Sequence, residues 1–177
     1  MRLLPLTRDH VGAVARAMRA ADRAEIYATR RDEDWRALAE DAVAYSRLGT
    51  VAAAADGTPV AAAGGVECWP GLWQVWMFAT PRWPEVALGM TRWARRRFAP
   101  ALIAAGAHRA ECRSLAGNVA AHRWLAALGA VAEARQEDYG RNRESFITFA
   151  WRRPHVHVQR AETAQAAGAA ADRPELR

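Results

Sequence analysis

The stretch from Gly71 to Phe98, GLWQVWMFATPRWPEVALGMTRWARRRF, constrains the fold more than any other part of the chain. Leu72, Trp73, Val75, Trp76, Met77 and Phe78 form an apolar run interrupted only by Gln74, which is how a strand buried on both faces reads. Thr80-Pro81 and Trp83-Pro84 stop it, because proline donates no hydrogen bond and pushes the preceding residue away from helical dihedrals. Glu85 then opens a helix, with Val86, Met90, Trp93 and Ala94 at helical spacing and an acidic residue suited to the first turn. Strand, tight turn and helix together aim backbone N–H groups into a crevice, a site for an anion such as a phosphate. The same pattern also serves as a plain βα unit of a mixed core. His108–Leu115 reads as the next strand, so the intervening helix is a crossover. The two strands are expected to lie parallel and to splay apart at their C-terminal ends.

The rest of the chain alternates around this unit. Arg2–Leu6 reads as an edge strand, and Thr7 or Asp9 caps a helix bearing Val11, Val14, Ala15 and Met18. If that helix continues, Asp22 and Glu25 share a face, either as an acid–base pair or as a solvated end beside Arg19 and Arg23. A second helix, from Asp32 to Tyr45, is capped by Asp32 or Asp34 and buries Trp35, Leu38, Ala39, Ala42 and Val43. Thr50–Ala55 and Pro59–Val66 flank Asp56-Gly57 as a hairpin, a turn signal that outweighs the poor strand propensity of their alanines. Gly64-Gly65 marks a bulge or a close backbone approach. Glu67 then stands as a rim residue in water, or as a carboxylate facing the crevice and able to deprotonate an amine. Pro100 disturbs the long helix, which ends by Gly106. Asn118 caps a further helix that stops at Gly129. Ala130–Tyr139, a charged edge strand, and Ser145–Trp151 close the pattern around Gly140-Arg141-Asn142-Arg143.

Composition excludes more than it identifies. The net charge is +6 and every Lys/Arg position is arginine, which favours acidic ligands in general. Yet the arginines are scattered, and Arg95-Arg96-Arg97 reads as a solvated helix face. No aromatic–basic strand pattern points to nucleic acid, and no apolar run approaches a membrane span or a signal peptide. Cys68 and Cys112 lack metal spacing, His155 and His157 make a weak pair at most, and no metal site is expected. Reduced cysteines fit a cytoplasmic protein. After Trp151 bulky apolar residues nearly vanish, so the expected organisation is one domain over 1–151 and a disordered tail over 152–177.

The order β-α-α-β-β-β-α-β-α-β-β, with these residues, resembles the GNAT (GCN-five-related) superfamily of acetyl-CoA-dependent N-acyltransferases over roughly Met1 to Trp151. Three segments carry the resemblance: the hairpin ADGTPVAAAGGV, the strand-turn-helix Trp73–Arg97, and the Asn-led helix Asn118–Gly129 ending in Leu128-Gly129. It implies an α/β fold with a central mixed, splayed sheet. It also implies acetyl-CoA lying along Val75, Met77, Phe78 and Ala79, with its pyrophosphate at the turn of Thr80 and Arg82 and its pantetheine arm near Asn118. An amine of a small molecule or protein would attack, with Glu67, Glu25 or a water taking the proton. Within the superfamily, ADRAEI, WQVWMFAT and RWLAALG look like a tailed-phage group of GNAT-like proteins, which implies instead a non-catalytic binding or virion-assembly role beside phage structural proteins. The departures are specific. The family's glycine-rich pyrophosphate loop reads PRWPEVALGM here, and Leu125 stands where the family has a tyrosine acid. Acetyl-CoA binding is therefore expected to be weak.

Overall fold

A computed structural model describes residues 1–153; the expected tail and its histidines, from residue 154 on, lie outside the described residues. The elements follow in order: β1 (Arg2–Leu4), α1 (Arg8–Arg16), α2 (Ala20–Ala28), α3 (Trp35–Tyr45), β2 (Leu48–Ala53), β3 (Pro59–Trp69), β4 (Leu72–Ala79), α4 (Ala87–Trp93), α5 (Ala99–Ala104), β5 (Arg109–Leu115), α6 (Val119–Ala127), β6 (Val131–Gln136) and β7 (Phe146–Arg152). The strands form one seven-stranded mixed sheet, ordered β1-β2-β3-β4-β5-β7-β6.

Local chemistry accounts for most boundaries. Thr7 accepts from the His10 N–H, Asp34 from the Arg36 N–H and Asn118 from the Ala121 N–H, capping α1, α3 and α6. Asp56-Gly57 turns the β2–β3 hairpin, with Gly57 at φ +86° and the Asp56 carboxylate accepting from the Thr58 N–H. Gly129, at φ +89°, follows the end of α6. Pro100 has no N–H for the carbonyl four residues back, and the helix ahead of it widens into a π segment at Ala94–Phe98.

Two alternatives left open by the sequence are decided. The first helix does not run through to Glu25: it ends at Arg16, and α2 starts at Ala20. The break is tertiary, because the Arg19 N–H donates to the Ala79 carbonyl at the end of β4 (2.9 Å). Gly64-Gly65 marks close approach rather than a bulge. A Cβ on Gly64 would lie 2.7 Å from a Trp76 ring carbon, and the β3–β4 register is continuous there, shifting only between Glu67 and Trp69.

The sheet is covered on both faces. On one, α1, α2 and α3 bury Val11, Val14, Tyr27 and Leu38 against Val51, Ala62 and Phe78. On the other, α4 and α5 bury Val86, Met90 and Leu102 against the alternate residues of β3 and β4, and α6 lays Leu125 on Phe149. At about 25 cal/mol per Å² of buried apolar area, such two-sided covering is the main stabilising term.

Candidate functional site

β4 and β5 pair in parallel only through Leu72–Arg109, Trp73–Ala110 and Gln74–Glu111. Beyond Gln74 the two strands part, as the crossover led one to expect. The gap holds a cavity of about 540 Å³, walled largely by apolar side chains including Val75, Met77, Phe98, Leu102, Trp124 and Leu125. The Thr80 N–H points to β3, donating to the Val60 carbonyl, so the neighbouring Ala79 N–H points the other way, into the gap. Alternation along the strand turns the backbone groups of Met77 and Val75 in that same direction, where β5 no longer pairs with them.

α2 lies across the open end. Its two carboxylates, three residues apart, each finish one strand. Asp22 accepts from the Ala79 N–H at 2.7 Å and pairs with Arg19 at 2.8 Å. It is 5 % exposed, and burial raises its pKa above 3.8 against the opposing pull of Arg19. Glu25 accepts through Oε2 from the Ser114 hydroxyl (2.7 Å), the Leu115 N–H (2.9 Å) and the Asn118 side-chain amide (2.9 Å). Its Oε1 has no hydrogen bond among the described residues, and Glu25 is one of the residues lining the cavity. A carboxylate held by one oxygen and open at the other is suited to take a proton from an amine.

The expected site residues divide sharply. Glu25, Val75, Met77 and Asn118 line the cavity. Phe78 is instead buried among α1, α2 and α3, on the other face of β4. Ala79 and Thr80 contribute backbone groups that are already engaged, and neither lines the cavity. Glu67 does not reach it: it sits opposite Trp73, at the start of β4 and the far end from the turn, ion-paired with Arg47. The tight turn between Trp69 and Leu72 sets that register.

Within the turn after β4 the backbone donors of Arg82, Trp83, Glu85 and Val86 are already engaged. The Arg82 N–H donates to the Thr80 hydroxyl, the Trp83 N–H to the Thr80 carbonyl, the Glu85 N–H to the Arg82 carbonyl and the Val86 N–H to the Trp83 carbonyl. Pro81 and Pro84 have none to give. The Arg82 guanidinium is held by both oxygens of Glu85 (2.7 and 2.8 Å) and by Asp56 (2.9 Å). Glu85 first and Asp56 second raise its pKa. Trp124 borders the cavity, stacks edge-on to Trp83 (5.5 Å between centroids) and donates to the Thr91 hydroxyl (2.9 Å). Trp83 itself does not line the cavity.

Sequence reasoning passed over Ser114 and Tyr139, which also line the cavity, and gave Asp22 no role at the strand end. Only the i, i+3 spacing of Asp22 and Glu25 hinted at a joint role. Cys112 is part of the wall, and burial pushes its thiol up to about 12, so it stays protonated. Among the described residues no cluster of His, Cys, Asp or Glu is arranged to hold a metal, and no helix is long and apolar enough to cross a membrane.

Among solved structures, the chain superposes on Ard1 from Thermoplasma volcanium with a TM-score of 0.67, at 16% identity over 85% of this chain and 96% of that one. The GNAT-family acetyltransferase from Bacillus anthracis gives 0.59, at 13% identity over 86% and 95%. The fold is the GNAT fold. A third match, smu.2055 from Streptococcus mutans, gives 0.61 at 10% identity over 86% and 99%. No protein-family model matches the chain, and no curated protein matches it.

Proposed function

We propose that the protein is an N-acyltransferase that receives the pantetheine arm of an acyl thioester, acetyl-CoA in the simplest case, between β4 and β5. The observation that carries this reading is one cavity bringing together the unpaired backbone edge at Val75 and Met77, the Asn118 side chain and the open oxygen of Glu25. An amide-containing arm can add to such an edge as a strand would. The thioester supplies an acyl carbon activated toward amines. The chain supplies a dry apolar slot that holds the arm beside the acceptor amine, and Glu25, which takes the proton that the amine loses as its nitrogen bonds to the acyl carbon. Positioning alone accounts for a large share of such a rate, so the absence of a tyrosine at Leu125 is compatible with turnover.

The test is thiol release from acetyl-CoA and from S-acetylpantetheine in the presence of a panel of exogenous amines. The acceptor must be supplied, because a chain without lysine offers only its N-terminal amine for self-labelling. Amine-dependent release that Glu25→Gln abolishes supports the reading; no release from either thioester with any amine overturns it. A second reading is a non-catalytic GNAT-fold binding protein in a phage or prophage setting; the engaged donors of the turn after β4 support its non-catalytic part. That reading predicts saturable binding of a virion protein and no thiol release at all.

A further inference from the structure

The helices that flank the cavity differ in charge from the rest of the molecule. From Val86 to Gly106 and from Ala116 to Ala130 the chain carries Arg92, Arg95, Arg96, Arg97 and Arg123, with no Asp or Glu. All five arginines are exposed. None forms an ion pair among the described residues, and Arg95 donates instead to the Ala127 carbonyl at the end of α6. The layer of α1, α2 and α3 mixes arginines and carboxylates in near balance and ties several of them together, as in Arg23–Glu33 and Arg30–Asp41. The positive field therefore sits on the face where α4, α5 and α6 enclose the cavity. On that face there is room for a pantetheine arm, while in the turn after β4 the N–H groups of Arg82, Trp83, Glu85 and Val86 are engaged within the chain, Pro81 and Pro84 offer none, and Trp83 packs edge-on against the cavity-lining Trp124.

We propose that the thioester this cavity accepts is carried on an acidic carrier protein, whose pantetheine phosphodiester and acidic surface dock on the basic layer of α4, the π segment, α5 and α6. The inference rests on the acyl-transfer reading above. Such a donor presents the same arm as acetyl-CoA without the adenosine diphosphate. In the reaction, the acyl C–S bond breaks as the C–N bond to the amine forms, and the proton lost by the amine ends on the carrier's pantetheine thiol. A nucleic acid would also meet these arginines, but it would leave the cavity without a purpose.

The experiment compares acetyl-loaded acyl carrier protein, acetyl-CoA and S-acetylpantetheine as donors to one exogenous amine, with the carrier lacking its arm as a competitor. The expected kcat/KM for the loaded carrier exceeds that for acetyl-CoA by about tenfold or more, and salt lowers it. Arg96→Glu with Arg97→Glu, and separately Arg123→Glu, should each lower carrier-dependent turnover, the double variant by about tenfold, and leave S-acetylpantetheine turnover unchanged. Acetyl-CoA matching the carrier, or both variants leaving carrier turnover intact, would overturn the proposal. So would a short DNA duplex that binds the same arginines more tightly than the carrier does. Turnover of S-acetylpantetheine with none from the carrier rejects the carrier and keeps the acyl-transfer reading. No turnover from any donor rejects that reading and the carrier with it.

Discussion

At the end of β4 the outward N–H of Ala79 goes to Asp22; at the end of β5 the N–H of Leu115 goes to Glu25, one turn further along the same helix. These jaws of the cleft use the same device and differ in what remains afterwards. Both oxygens of Asp22 are engaged, one by Ala79 and one by Arg19, and the turn beyond consumes its own donors through Thr80, Arg82 and Trp83. Glu25, which lines the cavity, concentrates its three bonds on Oε2 and leaves Oε1 without a hydrogen bond among the described residues, beside an Asn118 that caps α6. The jaw at β4 has become a structural lock, and the jaw at β5 keeps a group able to move a proton.

The largest expected effect tests that assignment. Glu25→Gln keeps an acceptor oxygen for Ser114, Leu115 and Asn118 but removes the base. Amine-dependent kcat should fall by about 10²–10⁴, the usual size of general-base catalysis, with KM little changed. An unchanged kcat would reduce Glu25 to a second lock and dissolve the contrast between the jaws.

Next in size is the lock itself. Asp22→Ala strands a buried N–H and the partly buried Arg19, and should cost about 3 kcal/mol in urea unfolding, the lower end for breaking a buried pair. Asp22→Asn separates the charge from the hydrogen bond. Because burial raises the folded-state pKa of Asp22 above 3.8, the folded protein binds that proton more tightly than the unfolded chain. Its contribution to stability is full below pH 3.8 and is lost as pH rises through the folded value. The wild type should therefore lose stability relative to Asp22→Asn over that rise. A difference of the opposite sign would mean that Arg19, and not burial, controls this carboxylate.

How far the sequence foretold these jaws follows from the range of the interactions. Caps, the Asp56-Gly57 turn, the prolines after β4 and the stop at Gly129 act within four residues, and all were legible. The parallel, splayed pair β4 and β5 followed from the crossover between them. What escaped is long-range: the break at Arg19 is made by Ala79, and the role of Glu25 by Ser114, Leu115 and Asn118; Glu67 is instead placed by the nearby turn between Trp69 and Leu72, opposite the start of β4. Alternation does place Phe78 away from Met77, yet only the packing of α1 and α3 shows which of the two faces is core.

Asn118 offers a smaller and more local comparison. It caps α6 and donates to Glu25, whereas α4 follows Val86, which offers no side-chain cap. Asn118→Ala should cost about 1–2 kcal/mol in thermal or urea unfolding. It should also raise KM for S-acetylpantetheine, because Asn118 lines the cavity. Asn118→Ser, which restores a cap but not the amide donor, should recover stability and leave the KM effect in place. Recovery of both would mean that the side chain acts on the cleft only through the helix.

The smallest effect is expected where the family resemblance placed the cofactor's phosphates. Arg82→Ala should leave acetyl-CoA binding unchanged in calorimetry, because the guanidinium is already divided between Glu85 and Asp56 and lies outside the cavity. Exposed pairs of this kind contribute little, so Tm should stay within the error of the measurement. The trace of the clamp lies instead in the titration of Asp56, held down to about 2, first by the Thr58 N–H and then by Arg82. A lowered carboxylate adds stability above its unfolded pKa of 3.8 and loses it as pH falls toward 2. Removing Arg82 should move the Asp56 carboxyl resonance part of the way back to 3.8, with the Thr58 contribution remaining. Weaker acetyl-CoA binding in Arg82→Ala would show that the clamp opens for a phosphate, and the lock at β4 would have to be redrawn as a gate.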